Sequence, residues 1–420
     1  MAEAKTARKK SADNEGPRLD VLVAGAGYVG LAAAVSIREA RPNLKVAVVD
    51  AAPEGVWEKD TRASAIAAAA CRMLARLGCW DEIAPHAQAI TEMIVTDSRT
   101  TDPVRPVFLT FDGEVAPGEP FAHMVANKVL NGALRRRAAD LGIDIIEGVA
   151  VQGFETGPAN VSVHLADGIV VNARLLVAAD GVNSKLRAMA GIKTVDVDYG
   201  QSGIVCTILH ERPHNGRAEE HFLPAGPFAI LPLTGDRSSI VWTERTDDAN
   251  RLVASDDLVF EMELEQRFGL KLGELRVEGK PRAWPLGLKL ARAFVAPRLA
   301  LAGDAAHGIH PIAGQGLNLG FKDVAALAET VVEADRLGQD IGALDVLQRY
   351  ERWRRFDTVQ MGVTTDILNR MFSNDFGPLR AIRDIGLGLV DRMPRMKEFF
   401  IRQASGLSGE TPRLLKGEPI

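Results

Sequence analysis

The chain has 420 residues, 46% of them hydrophobic, and carries 50 Lys and Arg against 55 Asp and Glu for a net charge of −5. This length predicts roughly three domain-sized units with ample core material, and the charge balance excludes a basic field that would gather nucleic acid. Three cysteines (Cys71, Cys79, Cys206) cannot build a disulfide framework, no CxxC or HExxH spacing suggests a metal site, and a reducing cytoplasmic setting fits best.

Residues 1–18 are polar and basic with interspersed acids, which reads as a disordered tail rather than a signal or transit peptide. No uninterrupted apolar run of ~18 residues predicts a membrane span, and no internal repeat is visible. The first strong signal follows. An apolar strand over 21–24 leads into Gly25-Ala26-Gly27-Tyr28-Val29-Gly30, a helical run over 31–40, and a second strand over 44–49 that ends at Asp50. This is a dinucleotide fingerprint in its required strand–turn–helix–strand–acid context. Gly25 makes the turn, Gly27 admits a pyrophosphate, Gly30 packs helix on strand, and Asp50 accepts from a ribose.

Further along, 62–77 reads as an Ala-rich helix, 90–95 and 107–111 as strands, 127–141 as a helix and 143–147 as a strand. Residues 150–179 alternate as a β-meander turning at Asp167-Gly168. The meander ends in Asp180-Gly181, with a short helix opening near Ser184. Residues 195–245 are strand-like, and 251–268 read as one helix. A strand over 299–302 runs into Gly303-Asp304-Ala305-Ala306-His307, then His310-Pro311 and the glycines Gly314, Gly316 and Gly320. Packing alone does not call for such a loop, whereas a large ligand lying against backbone does. The helix starting near Gln315 would aim its positive end at that ligand. Helices over 317–336, 344–372 and 379–393 close the chain. The strands near 20, 46, 145, 177 and 300 predict one nucleotide sheet; those over 90–111 and 195–286 predict a second. The fold class is α/β: a Rossmann-like domain with an interleaved β-sheet domain and C-terminal helices.

Taken in order, GAGYVG, Arg62-Ala63-Ser64-Ala65-Ile66, ADGVNSKLR, Tyr199-Gly200-Gln201, the 226–233 strand, Trp284-Pro285-Leu286, GDAAHGIHPIAGQGLNLGFKD and the tail Pro412-Arg413-Leu414-Leu415-Lys416-Gly417 resemble the FAD-dependent aromatic hydroxylases of para-hydroxybenzoate hydroxylase fold. Within them the chain is similar to the ubiquinone-biosynthesis hydroxylases. The resemblance implies an FAD-binding domain from 19–89, 122–194 and 287–345, a substrate domain from 90–121 and 195–286, and a helical region over 346–420. It implies FAD, with NAD(P)H and O2 as co-substrates, and oxygen transfer to an electron-rich ring through a flavin C4a-hydroperoxide. The aromatic substrate would be polyprenylated. With no second fingerprint, NAD(P)H would dock on the surface. Two positions depart from the family pattern: Ala126 stands where an acid is common before Asn127, and Gly308 follows His307 where Thr is frequent.

The same resemblance assigns roles. Gly25, Ala26, Gly27, Tyr28, Val29, Gly30, Asp50, Arg62, Asn127, Asp180, Gly181, Gly303 and Asp304 would hold the cofactor. Pro311 would lie against the isoalloxazine, and Gly314, Gly316, Leu317 and Asn318 would present N–H groups to its pyrimidine edge. Catalytic candidates are His307, Pro311 and Gly314. His307 and His310 invite a general-base reading; holding the loop is the competing reading and the one we favour. The substrate wall would come from Phe222, Phe228, Ile230, Pro232, Trp284 and Pro285. Apolar residues at helical spacing over 379–396, interleaved with Arg and Lys, allow peripheral contact with the inner face of a membrane; packing on the flavin domain or on a partner competes with it. A hydroxylase of a soluble phenol, and a non-catalytic flavin-bound scaffold of a quinone-biosynthesis complex, stay open as alternatives.

Overall fold

The computed structural model describes residues 15–97, 107–112, 114–309, 315–372, 405–406 and 409–420. The fingerprint region folds as β1 (Glu15–Ala24), α1 (Tyr28–Ala40) and β2 (Val46–Val49). Then come β3 (Ala63–Ala67), α2 (Ala68–Arg76), β4 (Gln88–Ile90), β5 (Glu92–Asp97), β6 (Val107–Asp112), β7 (Ala122–Ala126) and α3 (Asn127–Asp140). The strand β8 (Asp144–Ile146) precedes the meander β9 (Val151–Thr156), β10 (Val161–Leu165), β11 (Val170–Ala178), and α4 (Lys185–Met189) follows. The second half holds β12 (Thr194–His210), β13 (Arg217–Leu223), β14 (Gly226–Leu233), β15 (Arg237–Arg245), α5 (Thr246–Val253), α6 (Asp257–Phe268) and β16 (Leu275–Ala291). It ends with β17 (Leu299–Leu301), β18 (His307–Gly308), α7 (Gln315–Arg336) and α8 (Leu344–Phe372).

One eight-stranded sheet runs β8-β2-β1-β11-β10-β9, with β17 parallel to β11 beside it and the two-residue strand Val295–Ala296 antiparallel to β17. The last four residues of β1, 21–24, are buried on both faces, which is why they read as an unbroken apolar run. α1 and α7 pack together over this sheet through Val29, Gly303 and Gly320; a Cβ at Gly320 would lie 2.7 Å from a Val29 methyl. The second sheet runs β18-β16-β12-β15-β14-β13-β5-β6. Its back face (Ile204, Phe228, Ile230, Ile240, Trp242) forms a core of its own with Phe260 and Leu264 of α6. A third, small sheet, β3-β7-β4, lies between the two.

Several expectations need correction. The run 62–77 is not one helix: 63–67 form β3, antiparallel to β7, and the helix starts at Ala68. Its Ala content favours helix locally, but pairing with β7 overrides that preference. The 90–95 strand divides at Thr91, sending β4 to the small sheet and β5 to the large one. The 251–268 helix is two, because the Asp256 side chain accepts from Val259 N at 2.9 Å and starts a new helix. Residues 15–18, expected in the tail, belong to β1, with Glu15 opposite Val170. The region 346–420 is not helical throughout: Leu414 and Leu415 sit in a short 3-10 turn packed into the main core. The basic amphipathic stretch over 379–396, like residues 1–14, lies outside the described residues. Among the described residues no helix is long and apolar enough to cross a membrane.

Candidate active site

Gly25 has φ +112, and a Cβ there would run into the Ala179 carbonyl. A Cβ at Gly30 would run into the Gly25 carbonyl, so α1 can close on β1 only with glycine at both positions. Gly27 is different: nothing lies within 4 Å of its Cβ position, and it borders a cavity of about 250 Å³. Tyr28, Val29, Arg62, Asn127, Gly181, Asp304, Gly316 and Leu317 line the same cavity. Nine expected residues thus surround one channel, from the N-terminus of α1 to the N-terminus of α7.

The others stand behind the channel wall. Asp50 accepts from Ala26 N and from Ala52 N, fixing the turn to the end of β2. Asp180 accepts from Leu186 N at 3.2 Å in the first turn of α4, which Ser184 caps, while the buried Asp180 Oδ1 has no protein partner. Gly303, at φ +60, packs on Val29. The Asn318 side chain accepts from Ala67 N at 2.9 Å and donates to Ala65 O at 3.0 Å, tying α7 to β3. Asn318→Ala leaves both backbone groups unpaired and should cost about 2 kcal/mol, measured by chemical denaturation of the apoprotein. At Gly308, where Thr is frequent in the family, a Cβ would meet Val182 Cγ2 at 2.6 Å; the Val182 methyl takes up the room. His310, Pro311 and Gly314 lie outside the described residues.

Sequence reasoning missed Asp60, Trp57 and Asn131, which also line the channel. Asp60 grips Arg62 with two hydrogen bonds of 2.9 and 2.8 Å and accepts from Asn127 Nδ2 at 3.1 Å. Burial opposes ionisation of Asp60, but the hydrogen bonds and charge of Arg62 outweigh it and hold the carboxyl below its ordinary value. The i,i+4 pair Asn127 and Asn131, polar on a buried face of α3, was the available sequence signal.

The position of His307 favours the loop-holding reading over the catalytic one. It is fully buried, borders neither this cavity nor the next, and its Nε2 lies 2.5 Å from Asp323 Oδ2. The same oxygen accepts from Gly303 N at 3.0 Å, and Oδ1 accepts from the buried Arg354 Nε at 2.8 Å. The loop is therefore held through a carboxylate on α7 rather than through backbone groups alone. Burial would raise Asp323, but His307 and Arg354 prevail and hold it below its ordinary value.

A second cavity of about 280 Å³ adjoins the first and shares Tyr28, Asp304, Gly316 and Leu317 with it. Its walls are Ile90, Met93, Phe121, Leu231 and Val241. On the shared floor, burial and then Asp304 push the Tyr28 hydroxyl up to about 12. Desolvation by the surrounding walls, with a contribution from Asp323, raises the Asp304 carboxyl. The expected substrate wall is off by one residue along β14. Phe228 and Ile230 face the helix-covered core, and Pro232 shares their parity; Ala229 and Leu231 line the cavity. Two buried faces explain the error, since both parities are apolar and alternation carries no sign. Phe222 shares the parity of the lining residues Ala218 and Glu220 without lining the cavity itself. Trp284 lines a different cavity, and its neighbour Pro285, paired with Ser202 across the sheet, lines neither. Phe228→Ala should therefore cost about 3–5 kcal/mol of stability. Ala229→Trp should instead leave stability near wild type and block substrate. Denaturation and a substrate titration on each variant check the pair.

The geometry meets known proteins at several levels. A family profile described as an FAD binding domain matches residues 18–356. A ubiquinone hydroxylase of Rhodospirillum rubrum is 44% identical over 96% of this chain and 93% of its own length. The 3-demethoxyubiquinol 3-hydroxylase of Escherichia coli is 31% identical over 92% of this chain and 98% of its own. The crystal structure of p-nitrophenol 4-monooxygenase from Pseudomonas putida superposes with a TM-score of 0.77 at 19% identity, covering 94% of this chain and all of that one. The chain belongs to the FAD-binding family of FAD-dependent aromatic hydroxylases, an enzyme family that uses FAD with NAD(P)H as co-substrate.

Proposed function

We propose that the chain hydroxylates the aromatic ring of a polyprenylated ubiquinone precursor, consuming NAD(P)H and O2. Two relatives that it matches along nearly its whole length are a ubiquinone hydroxylase and a 3-demethoxyubiquinol 3-hydroxylase. The single observation that carries the reading is the apolar cavity adjoining the glycine-lined channel across the shared floor of Tyr28, Asp304, Gly316 and Leu317.

The residues fit FAD. Open space over Gly27 leaves room for a pyrophosphate at the N-terminus of α1, where free N–H groups favour anions. Bound FAD would supply the electron transfer and oxygen chemistry. The chain's own part is positioning and polarity. Arg62, its planar guanidinium held in place by Asp60, would face the anionic end of the cofactor. The first turn of α7 has N–H groups without intrahelical partners; those of Gly316 and Leu317 border both cavities and would stabilise negative charge on the reduced ring. Ile90, Met93, Phe121 and Leu231 exclude water from the substrate. Tyr28 holds its proton more tightly than a free phenol and would offer a donor to a phenolic oxygen.

Profiling quinone intermediates after deletion of the gene tests the proposal. A polyprenylated ring lacking one hydroxyl-derived substituent should accumulate and vanish on complementation. An unchanged quinone pool would move the substrate to a soluble phenol.

A further inference from the structure

A third cavity of about 540 Å³ lies between the 56–62 segment and the front of β12, β15 and β16. It borders the FAD channel and shares Trp57, Asp60 and Arg62 with it. Nothing in the reaction scheme above uses it. Four cationic side chains line it, Lys59, Arg62, Lys280 and Arg282, against the carboxylates of Asp60 and Glu278. Asp60 is committed to Arg62, and Glu278 lies 3.7 Å from Arg237. Lys59, Lys280 and Arg282 carry no ion pair among the described residues, so a concave wall of a net-acidic chain is locally positive. Such a wall concentrates anions by focusing the field. Trp284 stands in the same wall, 46% exposed, with the Arg62 guanidinium 5.6 Å from its ring centre.

We infer that this cavity docks the phosphates of the nicotinamide dinucleotide, with Lys59, Lys280 and Arg282 as their partners and Trp284 as a stacking face. The inference rests on the reading of NAD(P)H as reductant. Lys and Arg pair with phosphate oxygens, and an exposed indole offers a flat face to a base. The chain has one glycine fingerprint, at 25–30, and it serves FAD; a second dinucleotide must find its phosphate contacts in side chains. A polyprenyl chain would not choose this wall, since charged groups would be desolvated by it. Arg62, held between Asp60 and Trp284, forms the partition between the two ligands.

The test uses the FAD-loaded enzyme under anaerobic conditions, with NADH and NADPH titrated separately and followed by tryptophan fluorescence. Lys280→Gln and Arg282→Gln should each raise Kd about threefold to fivefold, the range for exposed charge contacts. Adding Lys59→Gln should bring the loss to roughly fiftyfold, and salt should weaken wild-type binding more than that of the triple variant. Trp284→Phe should remove most of the fluorescence response. Dithionite should reduce the flavin in every variant at the wild-type rate. Wild-type Kd in the triple variant would overturn the site, and so would a wild-type enzyme that binds neither nucleotide. The hydroxylase reading fails separately, if dithionite-reduced wild type given O2 and substrate forms no product.

Discussion

Gly30→Ala should yield a protein that does not fold stably, whereas Gly27→Ala should fold normally and lose FAD. Both belong to one six-residue motif, and a pattern match treats them alike. The structure separates them. A Cβ at Gly30 meets the Gly25 carbonyl far inside contact distance, with the Ala179 Cβ at 3.3 Å on the other side. Both obstacles belong to the packed junction of β1, α1 and β11, where backbone cannot move aside, so the cost should reach about 3 kcal/mol or more. Gly27 has φ −72 and ψ 172, values open to any residue, and its Cβ position meets nothing in the protein. Alanine there should leave denaturation of the apoprotein unchanged. Because Gly27 borders the channel, a methyl group would stand where the pyrophosphate must approach, and FAD affinity should drop roughly tenfold to a hundredfold, or about 1.4–2.8 kcal/mol. Fluorescence titration of FAD into both apoproteins, beside their denaturation curves, checks the separation. Unchanged FAD affinity in Gly27→Ala would remove the pyrophosphate from that turn.

What the sequence disclosed, and what it withheld, follows the range of the forces involved. The glycine turn, the 299–301 strand and the helix from Gln315 were legible because each demands a particular backbone shape or terminus at fixed spacing. Both large sheets could be assigned from alternation and length. The small sheet could not, since Ala63–Ala67 is a strand only because β7 lies beside it. The substrate wall was missed by one residue in β14, because the strand is buried on both faces. Asp60, two residues before Arg62, gave no motif of its own; its meaning comes from gripping a guanidinium that also lies over Trp284, more than 200 residues away. Asp323 and Arg354 were invisible for the same reason: two charges on neighbouring helices read as surface groups until the fold buries them against each other and against His307.

That buried group gives the other large expected effect. Asp323→Asn keeps the side chain's shape and removes its charge. Arg354 would then keep only Asp357, at 3.1 Å, and His307 would lose its anionic partner. Breaking a buried pair by neutralising one member leaves the other charge uncompensated, so stability at pH 7 should fall by about 3 kcal/mol or more. The pH dependence has a definite sign. Asp323 titrates below its ordinary value in the folded chain. Its contribution is therefore present above the unfolded-state value near 3.9 and lost as pH falls through the lower folded value. The part of the gap between wild type and Asp323→Asn that comes from the Asp323 charge should thus be lost only below about pH 4. Because Gly303 N donates to the same carboxylate, the flavin loop should loosen with it, and His307→Ala should reproduce the loosening. A structural His307 means weaker FAD binding and an unchanged pH profile for product formation once FAD is saturating. If His307→Ala instead binds FAD normally, is reduced normally and makes no product, the histidine is a base after all, and the loop owes its shape to Asp323 and Arg354 alone.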